Sequence, residues 1–444
     1  MLLRDEILER GSEIIKSSGA DSAEVVVHRE SASTLRFASS TFHQGGRETD
    51  CAVYVRVITG RKIGVASTNS LGPRELKDCL KRALAIAAHT GKEPFDLRLP
   101  GPARYAAVES CFERTAALTE GEKTAIVAGC FKKARAKGVF HSGALATAEG
   151  EVAVLNSNGV SAYHPYTSAH LSAVSTKDGS SGYSSAISND FSAIDIPAVM
   201  DRSVGDCLAG LAPSHIEPGV YRVLFSPRAV AELLEWLSYT GFGSKNFREG
   251  TSFLSGRLGE KVTGERVTVY DDGLSPSGMA VPFDMEGVPK KRLSIIEAGV
   301  AAGVAYDTFT GAMDGVRSTG HAGYPEESEG PAPEHLFMAG GSMGLDELLT
   351  GLDNGLFVKS FHYVNGLLNP REGLMTGMTR HGTFLVEGGK IKRAAHPLRF
   401  TENIVKAFER IEGMSEAVEV FEHNSSLGSI SAPHLLLASF RFTS

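Results

Sequence analysis

The chain has 444 residues and a formal net charge of -7, from 45 Lys+Arg against 52 Asp+Glu. Its 42% hydrophobic and 22% charged residues are the balance of a globular protein with a large core and two or three domains. The negative balance and the lack of a basic stripe argue against nucleic acid or an anionic membrane as the main partner. No apolar run reaches the roughly 18 residues of a transmembrane helix. The start, Met1-Leu2-Leu3-Arg4-Asp5-Glu6, places acids where a secretory signal needs an apolar run. The five cysteines (Cys51, Cys79, Cys111, Cys130, Cys207) are widely spaced and form no CxxC pair. Both features point to a reduced, cytoplasmic protein.

In chain order, Leu3, Ile7, Leu8, Ile14 and Ile15 share one face of a first helix that ends near Gly19. Strands are expected around Glu24–His28, Thr34–Ser39, Cys51–Ile58 and Lys62–Ser67. In the third, Val53, Val55 and Val57 alternate with Tyr54 and Arg56, the period of a half-buried strand. Pro73 opens a helix with Leu76, Leu80, Leu84 and Ala87 inward. Pro94–Pro102 reads as an extended connector, and Thr119-x-x-Glu122 as the capping box of another helix. Strands fill about 139–190, broken by the turn Asn156-Ser157-Asn158-Gly159. A helix follows from Ile196 to Leu211. Pro213–Pro218 looks like a boundary. Beyond it, Val220–Phe225 is a strand, and Ser226-Pro227 caps a helix with Val230, Leu233, Leu234 and Leu237 inward. The remainder is mostly β. Turns are expected at Asp271-Asp272-Gly273 and at Glu387-Gly388-Gly389-Lys390, the latter joining Thr383–Val386 to Ile391–Arg393. Short helices fall within 340–355 and 402–411, and Leu435–Phe442 is the last strand.

None of the 14 His is followed by Glu, and no two lie four or five residues apart. That removes a helical zincin-type zinc site and leaves only one assembled from distant residues, such as His321 and His335. Gly340-Gly341-Ser342-Met343-Gly344 has the form of a nucleophile elbow between a strand and a helix, with Asp353 and His362 or His381 following in order. The competing reading makes Ser342 the cap of that helix, with Asp346 and Glu347 in its first turns. The pairs Asp271-Asp272 and Asp284-x-Glu286 serve either as acid–base or hard-metal groups or as turn residues. No phosphate-binding glycine loop is present.

Several stretches together resemble the TldD/PmbA family, also called modulators of DNA gyrase. They are Gly250-Thr251-Ser252-Phe253-x-Ser255-Gly256, Asp271-Asp272-Gly273, Asp284-x-Glu286-Gly287-x-Pro289, Tyr306-Asp307, Arg317-Ser318-Thr319-Gly320-His321, Asn369-Pro370-x-x-Gly373 and Phe384-Leu385-Val386-Glu387-x-Gly389. The resemblance spans nearly the whole chain. It implies an α+β, two-domain cytoplasmic protein: an N-terminal α/β domain with a mixed sheet over 1–212 and a β-rich C-terminal domain over 218–444. The family includes zinc metallopeptidases acting on unfolded or leader peptides. Its catalytic members carry HExxxH on the helix before the Gly-Thr-Ser stretch and a later Cys.

Here that window reads Glu235-Trp236-Leu237-Ser238-Tyr239-Thr240, and no Cys follows Cys207. At the motif positions Glu235, Trp236 and Thr240 the ligands and the base are missing. The resemblance therefore points to the PmbA/TldE-like branch, whose members pair with a catalytic TldD subunit. This chain is expected to be non-catalytic, to hold no zinc of its own, and to dimerise with a TldD-like paralogue or with itself. The zinc would lie in the partner. Arg317, Ser318, Thr319 and His321 are the candidate peptide cleft. Two other readings stay open: a peptidase or hydrolase in its own right, through an unrecognised metal site or Ser342, and a gyrase-associated regulator.

Overall fold

The computed structural model describes residues 4–423 and 427–444; Leu3, expected on the first helix, lies outside them. Helix α1 (Arg4–Ser17) buries Ile7 and Ile14 as its spacing predicts. Strands β1 (Ser22–Ala38), β2 (Thr41–Thr59), β3 (Lys62–Thr68), β4 (Phe140–Asn156), β5 (Ser161–Lys177) and β6 (Ser180–Ser188) form a six-stranded sheet in the order β3-β2-β1-β4-β5-β6. Every pairing in it is antiparallel. The mixed pairing expected here is found in the second sheet instead. The two strands expected at Glu24–His28 and Thr34–Ser39 are one, β1. Its polar middle reads as a break, yet Glu30 is paired with Asp50 on one side and Gly150 on the other. The ladder satisfies the backbone whatever the side chains are.

One face of this sheet presents Val25, Val27, Val53, Val55 and Val57 to α1 and to α2 (Pro73–His89). Helix α2 lies so close to β3 that a Cβ on Gly64 would come 2.0 Å from the Ala83 carbonyl oxygen, so only glycine fits there. The opposite face presents Val26, Val152 and Val154 to Val281, Phe283 and Met285 of the second half. This corrects the reading of β2 as half-buried. Arg56, expected on a solvent face, is only 8% exposed, because the second half of the chain covers it. At the far end of the sheet α3 (Glu113–Ala116), α4 (Glu120–Arg135) and α5 (Ile196–Ala209) close the layer. The Thr119–Glu122 capping box opens α4 as expected.

The second sheet has eleven strands: β7 (Gly219–Phe225), β8 (Val269–Asp271), β9 (Leu293–Glu297), β10 (Val300–Ala301), β11 (His335–Met338), β12 (Gly355–Asn369), β13 (Leu374–Glu387), β14 (Lys390–Ala394), β15 (Arg399–Asn403), β16 (Ile411–Glu422) and β17 (Ser429–Phe442). Strand β7 runs parallel to β12 and antiparallel to β17. With β13 and β15 these strands close on themselves around Phe225, Phe361, Phe400 and Phe440. Helix α6 (Pro227–Gly241) packs its predicted stripe, Val230, Leu233, Leu234 and Leu237, into this core. Its Ser226 cap accepts the Ala229 N–H at 3.3 Å. The hairpin at 387–390 joins β13 to β14 as expected.

Between α6 and β12 regular structure is sparse. It consists of β8 to β11 and the short helices α7 (Ser244–Glu249), α8 (Thr308–Asp314) and α9 (Leu345–Leu352). Among the described residues no helix is long and apolar enough to cross a membrane.

Candidate functional site: a cavity where the two sheets meet

A cavity of about 510 Å³ opens where β2 and β3 face the irregular stretch that follows α6. Arg56 and Val65 line it from the first sheet, and Lys245, Glu286, Asp307 and Tyr324 from the second half. A second cavity of about 370 Å³ lies beside Tyr239, Thr240, Asn246, Leu367 and Pro370. Lys245, Glu249 and Ser328 belong to the walls of both, so the two are neighbours.

Buried charge defines the floor of the larger cavity. One nitrogen of Arg56, Nη2, lies 2.8 Å from Glu24 Oε1 on β1 and donates to Glu286 Oε1 at 2.9 Å. The other Glu286 oxygen accepts the Thr308 N–H at 2.8 Å and the Thr308 hydroxyl. Asp284 accepts three backbone N–H groups, from Glu286 at 3.0 Å, Val288 at 2.8 Å and Ala322 at 2.9 Å. Asp307 caps α8 by accepting the Thr310 N–H at 2.6 Å. Burial pushes the Glu24 carboxyl up to about 7, against the pull of Arg56. Burial and the neighbouring Glu286 push Asp284 up to about 7 as well. On the cavity wall burial, reinforced by Glu334, carries Glu327 to about 7.

A chain of side chains crosses from this wall into the first sheet. The Tyr324 hydroxyl meets His28 Nδ1 at 2.8 Å, and His28 Nε2 meets the Tyr166 hydroxyl at 2.7 Å. Tyr166 in turn donates to Glu30 at 2.7 Å. Burial lowers the His28 pKa.

The sequence-derived candidates fall in several places. Arg317 is exposed, Ser318 and Thr319 are half-buried, and His321 is 2% exposed. Thr319 Oγ1 lies 2.9 Å from His321 Nδ1, and His321 Nε2 lies 3.1 Å from Asp271 Oδ1. The other Asp271 oxygen accepts the His335 N–H at 2.6 Å. Asp271 is thus a buried strand residue, not the turn residue expected. Burial alone would raise its carboxyl, but His321, Lys290 and His335 pull it well below the usual carboxylate range. The run 317–321 therefore stands behind the cavity, and the residues just after it, Ala322, Gly323 and Tyr324, form the wall.

Glu235, Trp236 and Thr240 lie on α6. Trp236 packs edge-on to Tyr239 at 5.9 Å and lies against Gly366, where a Cβ would come 3.0 Å from its ring. The Thr240 hydroxyl donates back to the Trp236 carbonyl at 2.7 Å. These side chains offer no imidazole toward the cavities, so they do not fit the zinc site of a catalytic relative. Among the described residues no cluster of three or more His, Cys, Asp or Glu is placed to hold a metal ion.

Ser342 is exposed and is not the cap of α9. The cap is Gly344, whose N–H donates to Glu347 at 2.8 Å. The glutamate satisfies the helix end from within the first turn, and Ser342 lies two positions outside the cap. The histidines that would serve an elbow are held elsewhere, His362 by Arg380 at 2.5 Å and His381 by Ser181 at 2.9 Å. Sequence reading missed Glu24, Arg56 and Tyr324. A usable signal was there for two of them: a charge inside each valine run, Glu24 before Val25–Val27 and Arg56 between Val55 and Val57.

Profiles described as PmbA/TldA metallopeptidase domain 1, central domain and C-terminal domain match residues 23–87, 113–206 and 218–444. The chain belongs to the PmbA/TldD family. It is 23% identical over 400 residues to a metalloprotease TldD homolog of Haemophilus influenzae, covering 85% of this chain and 82% of that one. It is also 23% identical over 455 residues to metalloprotease PmbA of Escherichia coli O157:H7, covering 96% and 94%. Its fold matches crystalline TldE from Thermococcus kodakarensis with a TM-score of 0.87 at 20% identity over 99% of both chains.

Proposed function

We propose that this chain is a PmbA/TldE-like, non-catalytic subunit of a TldD-type zinc metallopeptidase that acts on unfolded or leader peptides. The zinc belongs to a TldD-like partner, and this chain supplies part of the enclosure that holds the peptide. The observation that carries the reading is on α6. At the positions corresponding to HExxxH, Trp236 is packed against Gly366 and Tyr239, and Thr240 is bonded back onto its own helix. Neither is a metal ligand, and reversing one would leave the other.

The cavity supports the rest. Its wall mixes apolar side chains with polar groups already engaged in hydrogen bonds, which suits holding a chain rather than cleaving it. On this reading the peptide lies against Tyr324 and Lys245, beyond the run 317–321.

The test is reconstitution. The purified chain alone should contain no stoichiometric zinc after dialysis and should not cut an unfolded peptide. Mixed with a TldD-like chain that carries HExxxH, it should co-elute and raise cleavage. About one zinc per chain, or peptidase activity in the chain alone, would reject the proposal.

A further inference from the structure

At the seam between the two halves three buried carboxyls and a half-buried one meet one guanidinium. Glu24 comes from β1, and Asp284, Glu286 and Asp307 from the irregular stretch. Their relative exposures are 0% for Glu24, 1% for Asp284 and 2% for Glu286. The acids are not equally supported. Asp284 has three N–H donors, Glu286 has Arg56 and Thr308, and Asp307 has Thr310. Glu24 has only Arg56, whose Nη2 stands 2.8 Å from one oxygen but off the line of a good hydrogen bond. That same nitrogen donates to Glu286. Two carboxyl groups on different halves of the chain thus share the NH2 group of one cation, and with both ionised one negative charge in the seam is left over.

We propose that Glu24, Arg56 and Glu286 form a proton-operated clamp between the two halves, shut while Glu24 holds a proton and loosened when Glu24 ionises. With the proton on Glu24, Arg56 serves Glu286 alone and the seam is balanced. When the proton leaves, two like charges face each other across the seam and the cheapest relief is to admit water. Arg56 and Glu286 both line the large cavity, so loosening changes the shape of its wall. The groups facing Glu24 are few. Arg56 and Asn156 stand opposite it on β2 and β4, and Glu286 reaches it from the covering segment, with Asp284 acting on Glu286 in turn. Asp307 and Tyr105 complete the surroundings through Glu286 and Asp284. Arg56 is the cation among them.

The sign follows from linkage. In the shut seam the Glu24 carboxyl sits near 7, and in water near its ordinary 4.5. The shut form therefore binds the proton more tightly, and raising the pH through 7 favours the loosened form. This clamp goes beyond the subunit reading and does not depend on it.

The experiment uses the full chain alone. Backbone hydrogen exchange is measured at Glu286, Val288 and Ala322, whose N–H groups Asp284 holds, and is corrected for the intrinsic pH dependence of exchange. The opening equilibrium should rise roughly tenfold or more between pH 6 and pH 8. Glu24→Gln, which cannot ionise, should lose the Glu24 share of that rise and keep only the part due to Asp284, whose carboxyl also sits near 7. Asp284→Asn serves as a second variant: if Glu24 is the proton holder, its pH dependence persists. A flat wild-type profile would overturn the clamp. So would a slope undiminished in Glu24→Gln, or one abolished only by Asp284→Asn. A failed reconstitution with a TldD-like chain would leave these exchange data untouched.

Discussion

The first sheet and the irregular stretch from Gly243 to Gly340 solve the same problem by opposite means. In the sheet, six long antiparallel strands satisfy their own backbone, and side chains are free to be valine on both faces. In the irregular stretch the backbone has few ladder partners, and buried carboxylates take their place. Asp284 holds three N–H groups, Asp271 holds His335, Glu286 holds Thr308 and Asp307 holds Thr310. The sheet can therefore lose polar side chains cheaply, whereas the loops cannot. The cavity sits where the two solutions meet.

The sharpest way to break this contrast is at the meeting point. Arg56→Met should destabilise the chain by about 3–5 kcal/mol in chemical unfolding, because Glu24 and Glu286 are left buried without a cation. A loss below ~1 kcal/mol would mean that water already reaches the seam. Next comes Asp284→Asn, which keeps the shape but turns one acceptor into a donor facing a backbone N–H. It should cost about 1–3 kcal/mol.

Acid tests the same contrast from another side. Burial lowers His141 and His164 to about 4, and burial together with Lys290 does the same for His335. These folded pKa values lie below the ordinary 6.5, so the unfolded chain binds more protons in between. Stability from the three histidines should be full above about 6.5 and fall as pH drops toward 4. Glu24 works in the reverse direction over nearly the same range. Melting temperatures from pH 7 down to 4.5 should therefore fall more steeply in Glu24→Gln than in the wild type, since the variant lacks the opposing carboxyl.

Two smaller effects complete the series. Ser226→Ala removes the cap of α6 and should cost about 1 kcal/mol. Ser342→Ala should change stability by less than ~0.5 kcal/mol and leave cleavage by a two-subunit complex intact. A large activity loss in that variant with an unchanged melting curve would restore the serine as a nucleophile.

How much of this was legible in the sequence depended on how local the cause was. The caps at Thr119 and Ser226, the stripe of α6 and the hairpin at 387–390 were all legible, because each rests on residues a few positions apart. The burial of Arg56 was not. It depends on Val281–Met285, more than two hundred residues away, lying on a face that alternation assigns to solvent. The same holds for Asp271, which looks like a turn acid beside Asp272 and Gly273 but is fixed by His321 and His335. Ser342 failed for a different reason. The motif spacing was right, but Glu347 satisfies the helix end, and the serine was not needed. The loss of the zinc ligands at Glu235 and Thr240 and of the base at Trp236 came from a resemblance, and the structure adds the packing of Trp236 and the hydrogen bond of Thr240.

The chain of contacts from Tyr324 to Glu30 has a polarity. A carboxylate at its far end can only accept, so the single Tyr166 proton goes to Glu30, and toward His28 that oxygen can only receive. His28 must then carry its hydrogen on Nε2, and its bare Nδ1 takes the Tyr324 proton. One acid on the first sheet thereby writes the tautomer of a buried imidazole and the direction in which a tyrosine on the opposite half points its hydrogen. Replace that carboxylate with an amide that can donate, as in Glu30→Gln, and all three hydrogens are free to turn round together. The His28 ring would then report the reversal in its nitrogen chemical shifts, far from the atom that was changed.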